Sequence, residues 1–162
     1  MDAKRLPDAI ARVADIKAGK KIMVVDDEPD VVNLIKMQLD QEDYQVLTAY
    51  DGLEALAKVV ESRPDLVILD IMMPKVDGWV VCHSIKSNPA TSHTKVLILS
   101  ARSQIRARIK GLYILQADMY MTKPFDLDEL SANVRRLLHI DQLAREALPA
   151  EARVGDGVDL TT

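Results

Sequence analysis

The chain's 162 residues suffice for one well-buried domain and not for two of ordinary size, and 48% hydrophobic with 28% charged residues excludes the disordered and fibrous classes. With 25 acidic against 21 basic residues the net charge is −4, so no strong field attracts nucleic acid and no direct nucleic-acid binding is expected. One cysteine, Cys82, rules out an internal disulfide, no apolar run approaches the ~20 residues that cross a bilayer, and the charged start (Asp2, Lys4, Arg5, Asp8) has no signal-peptide core; a soluble cytoplasmic protein without membrane contact is expected.

In chain order, residues 1–19 hold an amphipathic stretch from Asp8 to Lys17, with Ile10, Val13 and Ala14 on one side and Pro7 suited to a first helical turn. It reads as a frayed helix or partly ordered arm, or as a docking helix for a partner. From Lys20 onward, β-branched and aliphatic runs near 21–25, 44–48, 65–69, 95–99 and 118–122 have the length and composition of strands. Between them Val31, Ile35 and Leu39, then Leu53, Leu56 and Val60, then Val81 and Ile85 recur at helical spacing. Ile105, Ile109 and Leu112 make a fourth such segment, and Leu127, Leu130, Val134 and Leu137 a fifth. Five strands alternating with five helices predict an α/β fold, a doubly wound parallel sheet covered on both faces. Ile140, Leu143 and Ala147 extend the last helix until Pro149, and Gly155, Gly157, Thr161 and Thr162 point to a flexible tail. The chain thus divides into an N-terminal extension (1–19), one domain (20–141), and a helix extension with its tail (142–162).

The strand ends carry the chemistry. Lys21–Val25 runs into Asp26, Asp27 and Glu28, and Leu66–Leu69 into Asp70; Val96–Leu99 ends at Ser100, and Met119–Thr122 delivers Lys123 and Pro124. In open parallel sheets ligands bind beyond the carboxyl ends of the strands, and these groups gather at that edge. Packed carboxylates repel, which discourages ionisation unless a divalent cation supplies the largest local charge. Mg²⁺ suits the set because it prefers oxygen ligands and binds through one or two carboxylates plus a phosphate. Asp27 and Asp70 are assigned as direct ligands, Asp26 as acting through water, and the Met72 carbonyl as a further oxygen. A carboxylate beside such an ion can act as nucleophile toward phosphorus and form an acyl phosphate. Lys123 and Ser100 then offer an ammonium and a hydroxyl to the phosphoryl oxygens. The Lys123–Pro124 bond has trans as its base rate, with cis as the geometry that re-aims Lys123. Trp79 reads as packing at the start of the third helix and Cys82 as core. His83, His93 and His139 lack metal-ligand spacing.

The stretch from about Lys20 to His139, roughly three quarters of the chain, resembles the receiver domain of two-component response regulators. The motifs that carry the resemblance are Val24-Val25-Asp26-Asp27-Glu28-Pro29, Ala49-Tyr50-Asp51-Gly52-Leu53-Glu54-Ala55-Leu56, Leu69-Asp70-Ile71-Met72-Met73-Pro74 with Asp77-Gly78, Leu99-Ser100-Ala101, and Lys123-Pro124-Phe125. It implies a flavodoxin-like strand order 2-1-3-4-5. It implies that Asp70 accepts a phosphoryl group from a phosphohistidine of a histidine kinase or histidine phosphotransfer protein, with Mg²⁺ at Asp26, Asp27 and Asp70. Ser100 and Lys123 would contact the phosphoryl group, and Tyr120 falls where the family places its rotating aromatic switch. The protein would be a signalling domain that catalyses only its own phosphorylation and dephosphorylation, and it would speak to a downstream protein through the fourth helix, fifth strand and fifth helix. A homodimer through that face is one option, although Asn133 stands where many DNA-binding members carry an Arg that pairs across the dimer. Met72 and Arg102, two residues beyond Asp70 and Ser100, would flank the attacking water and slow self-hydrolysis.

This chain departs from the family at Leu115-Gln116-Ala117-Asp118, where Gly-Ala often precedes the Asp, and Tyr113-Ile114-Leu115 form an unusual apolar patch, read as packing inward or as a partner surface. Three other readings compete with the stand-alone receiver. One is a receiver that forms part of a longer DNA-binding or enzymatic regulator. Another is a Mg²⁺-dependent phosphohydrolase with an aspartyl-phosphate intermediate, weakened because the first strand ends Asp26-Asp27-Glu28 and not in an Asp-x-Asp pattern. The third is a degenerate scaffold, against which all five chemical positions are filled.

Overall fold

The computed structural model describes residues 5–101, 103 and 116–147. In chain order these form α1 (Arg5–Ala18), β1 (Lys21–Val25), α2 (Pro29–Gln41), β2 (Gln45–Ala49), α3 (Gly52–Ser62), β3 (Leu66–Leu69), α4 (Gly78–Ser87), β4 (Lys95–Ala101), β5 (Met119–Lys123), α5 (Leu127–Leu137) and α6 (Ile140–Glu146). The fourth predicted helix with Ile105, Ile109 and Leu112, the Tyr113-Ile114-Leu115 patch, Arg102 and the tail from Leu148 onward lie outside the described residues. No described helix is long and apolar enough to cross a membrane.

All neighbouring strands pair in parallel, in the order β2-β1-β3-β4-β5 that the resemblance implies. Successive residues of a strand point to opposite faces, and the central strands use both. Ile22, Val24, Leu66, Ile68, Leu97 and Leu99 meet Val32, Ile35 and Leu39 of α2 and Leu130 and Val134 of α5. Met23, Val25, Val67, Leu69, Val96 and Ile98 meet Ala55 and Val59 of α3 and Val81, Cys82 and Ile85 of α4. Chains buried on both faces need continuous apolar strands, as in Leu66-Val67-Ile68-Leu69, every one of which is buried.

Three expectations change. On α3 the helical spacing picks the buried face only in part: Leu56 packs against the core, but Leu53 and Val60 are 55% and 58% exposed, whereas Ala55 and Val59 face the sheet. The phase is set at the helix start. The Asp51 carboxylate accepts the Glu54 N–H at 2.8 Å, and Gly52 sits so close to Val76 that an added Cβ would lie 2.7 Å from the Val76 Cβ. Beyond β4 the sheet also runs further than expected, so Ser100 lies inside the strand, opposite Thr122.

The last helix is not extended. α5 ends at Leu137, His139 adopts a left-handed conformation (φ 53°), and the chain turns so that Ile140 is fully buried at the head of a separate α6. α6 packs on α1, whose Arg12 guanidinium donates to the Ala147 carbonyl at 2.9 Å. Gln45 Nε2 donates to the Ala18 carbonyl at 2.6 Å, the Lys17 ammonium lies 5.2 Å from the centroid of the Tyr44 ring, and Val13 and Ile16 pack on the core. The N-terminal helix therefore docks on its own chain.

Candidate functional site

The carboxyl edge of the sheet holds its acidic residues by backbone as well as by side chain. The Asp26 N–H donates to the Ala49 carbonyl at 3.2 Å and the Asp70 N–H to the Val25 carbonyl at 3.0 Å, so the ladder continues one residue past β1 and β3. Asp26, Asp70 and Ser100 are buried, whereas Asp27 is exposed at the rim. Asp26, Asp27 and Asp70 each offer a carboxylate oxygen, and these oxygens lie within 4.8 Å of one another.

Buried charge must be compensated, and one ammonium does most of it. Lys123 Nζ is 2.7 Å from Asp26 Oδ2 and 3.3 Å from Asp70 Oδ2. Burial alone would lower the Lys123 pKa; the hydrogen bond and charge of Asp26, joined by Asp70, outweigh it and leave the group above its ordinary value. The remaining lone pairs find donors. Ser100 Oγ donates to Asp70 Oδ1 at 3.0 Å, the Met72 N–H to the same oxygen at 3.2 Å, and the Glu28 N–H to Asp26 Oδ1 at 3.0 Å. The Lys123–Pro124 peptide is cis, not the trans of the base rate.

Three carboxylates around one ammonium leave a negative surplus, and every side-chain donor in the cluster is oxygen. That set fits a hard divalent cation such as Mg²⁺ and offers nothing to a thiolate-seeking metal.

Of the other residues singled out from sequence, Met72 is 56% exposed beside Asp70, and Tyr120 is half-buried on β5. Burial holds the Tyr120 phenol above its usual pKa. Asn133 Nδ2 lies 3.2 Å from Met121 Sδ. Cys82 is buried, its thiol pushed up to about 11 by burial. His83, His93 and His139 are exposed.

Sequence reasoning missed the backbone donors of Glu28 and Met72, which leave no trace in residue identity. It also missed the ring contact between Trp79 and Tyr120, with centroids 6.0 Å apart. Gly78 carried a readable signal: a glycine just after Asp77 marks a place where backbone meets backbone, and an added Cβ there would lie 2.2 Å from the Asp70 carbonyl oxygen.

The family model described as the response regulator receiver domain matches residues 22–135. This chain belongs to that family. It is 44% identical over 140 residues to the transcriptional regulatory protein TrcR of Mycobacterium tuberculosis, covering 84% of this chain and 52% of that protein. It is 38% identical over 117 residues to Protein PilG of Pseudomonas aeruginosa, covering 72% and 86%. Among solved structures, the response regulator TrrA of Thermotoga maritima in complex with Mg²⁺ and BeF aligns with a TM-score of 0.66 at 41% identity, covering 73% of this chain and 98% of that one. The chain spans about half the length of the first curated relatives it matches. Receiver domains of this family are signalling domains of two-component systems.

Proposed function

We propose that this receiver accepts a phosphoryl group on Asp70 from the phosphohistidine of a histidine kinase or histidine phosphotransfer protein and signals in the cytoplasm through protein contacts. The observation that carries this reading is the convergence of Ser100 and Lys123 on the buried Asp70 carboxylate, beside Asp26 and Asp27. In the step itself an Asp70 carboxylate oxygen attacks phosphorus, the P–N bond of the donor breaks, and its electron pair stays on the imidazole nitrogen. Asp26, Asp27, Asp70 and the Met72 carbonyl would hold Mg²⁺. When bound, the ion supplies positive charge that offsets the phosphoryl oxygens.

The chain's own residues do the rest. Lys123 keeps its ammonium within reach of Asp70 and transfers part of its contact to the incoming group. Ser100 exchanges the Asp70 oxygen for a phosphoryl oxygen. That movement opens room for Tyr120, and the face of β5 and α5 changes for a downstream protein to read. Met72 and Arg102 would flank the path of water and lengthen the life of the acyl phosphate. The receiver unit of this reading is residues 20–141, and a longer regulator of the kind named among its relatives is the alternative setting for it.

The test is intact mass after incubation with acetyl phosphate. One added phosphoryl group is expected that requires Mg²⁺ and is absent in Asp70→Asn. An adduct that persists in Asp70→Asn, or folded wild-type protein that takes none, overturns the assignment. Release of phosphate from monoesters with turnover would favour the phosphohydrolase reading instead.

A further inference from the structure

Asp70 and Trp79 are joined by a loop with little freedom. The Gly78 N–H donates to the Ile71 carbonyl at 2.9 Å, and Gly78 lies against the Asp70 peptide with no room for a Cβ. Val76 closes on Gly52 in the same way. The Asp77 carboxylate then accepts the Trp79 N–H at 2.8 Å, which fixes the first turn of α4. The Asp70 peptide and the first turn of α4 that carries Trp79 are thus in direct contact.

On the far side of Trp79 stands Tyr120. The two rings meet at 6.0 Å between centroids with an interplanar angle of 44°, within the range in which aromatic pairs attract. Tyr120 lies opposite Ile98 of β4 and three residues before Lys123, which returns to Asp70. The loop after Asp70, α4, β5 and Lys123 thus make a closed circuit of contacts, and the aromatic pair is its one link without a covalent or polar tie. Trp79 is 2% exposed, and its indole Nε1–H has no hydrogen-bond partner among the described residues. Buried donors left unpaired are rare and call for a reason.

We propose that Trp79 is a positioning residue of the phosphoryl switch. Its indole holds the Tyr120 ring in the orientation of the unphosphorylated domain, and phosphorylation of Asp70 breaks that contact and gives the indole N–H a partner, where among the described residues it has none. The proposal rests on Asp70 being the phosphoacceptor.

Trp79 is the only tryptophan of the chain, so its emission reports this contact. The experiment follows emission and intact mass on the same full-length sample during incubation with acetyl phosphate and Mg²⁺. Emission is expected to change in step with the adduct, to stay constant in Asp70→Asn, and to lose its response in Tyr120→Leu although the adduct forms. Trp79→Leu, shown to be folded by circular dichroism, is expected to take up the phosphoryl group about two- to tenfold faster than wild type, the range for removing one aromatic pair that opposes the shift. Trp79→Phe keeps a ring and stays nearer wild type. Unchanged emission in wild-type protein that mass shows to be phosphorylated overturns this proposal and leaves the phosphoacceptor reading standing, as does an unchanged rate in folded Trp79→Leu. Folded wild type that takes no phosphoryl group overturns the phosphoacceptor reading, and the proposal falls with it.

Discussion

Two of the lysines that leave the surface in this fold, Lys123 and Lys17, are held in opposite ways. Lys123, its side chain 22% exposed, is drawn between the Asp26 and Asp70 carboxylates, which keep its pKa above the ordinary value despite burial. Lys17, only 8% exposed at the end of α1, lies over the Tyr44 ring, where burial and the Arg135 guanidinium lower its pKa against the pull of Glu42, Asp43 and Asp141. The first belongs to an edge built for charge, where the cation is the compensating element. The second belongs to a seam between terminal helices that is held by apolar contact and backbone caps, and there the cation is a cost that the ring and the neighbouring carboxylates offset. Charge organises one region and is tolerated in the other.

The largest effect should come from the seam's apolar anchor. Ile140 is fully buried where α6 begins, and Ile140→Ala is expected to lower global stability by about 3 kcal/mol, measured by urea unfolding. A single transition at lower midpoint would mean that α1, α6 and the sheet unfold together. A separate early transition would make the seam an appendage and break the comparison.

At the charged edge, Lys123→Ala leaves Asp26 and Asp70 facing each other with no ammonium. Because water reaches the site, a loss of about 2 kcal/mol is expected, less than for a fully buried pair. Millimolar Mg²⁺ should restore part of it in the variant, since a cation that binds only the folded state stabilises it by mass action. A variant as stable as wild type without metal would show that the carboxylates do not depend on this lysine.

The two regions also differ in how far they could be read from the chain. At the charged edge, Asp26, Asp70, Ser100 and Lys123 each interrupt an apolar strand run, and a polar residue at the end of a buried strand has few places to go but the sheet edge. The strand order came with the motifs, not with periodicity. What stayed hidden there was set by geometry between distant residues: that Lys123 lies nearer Asp26 than Asp70, and that Trp79 meets Tyr120. The seam was almost illegible. Nothing in Arg12 announces the Ala147 carbonyl, 135 residues away, as its partner. The break before α6 depends on one histidine in a left-handed conformation, for which a chain reading Leu137-Leu138-His139-Ile140 gives no warning. On α3 the spacing of Leu53, Leu56 and Val60 put Leu56 on the core but the other two on the wrong face, because cap and glycine contacts set the phase and not side-chain size.

A smaller effect tests whether the seam is held by its caps. Arg12→Ala removes an exposed side-chain-to-backbone bond, and a loss of about 0.5 kcal/mol is expected, read as faster amide exchange in α6 with the sheet unchanged. Exchange that quickens equally in β1 and β3 would mean that α1 braces the whole domain.

The smallest effect is the sharpest test of the contrast between the lysines. A Lys17 pKa lowered by folding means that, in the window between its folded value and the ordinary 10.5, the unfolded chain holds a proton that the folded chain has released. Stability contributed by Lys17 therefore rises with pH through that window and levels off above 10.5. Cys82 and Tyr44 act in the opposite sense, since burial raises both and the folded chain then holds protons that the unfolded chain has lost. Lys123, also raised, contributes in full below the ordinary 10.5 and loses that contribution as the pH climbs from there through its folded value. The Lys17 component must be isolated as the difference between wild type and Lys17→Met, followed by urea unfolding from pH 7 to 10. Wild type should gain on the variant as pH rises. A difference that shrinks instead would place Lys17 in the same class as Lys123, stabilised as a cation by Glu42, Asp43 and Asp141, and would erase the distinction between the two regions.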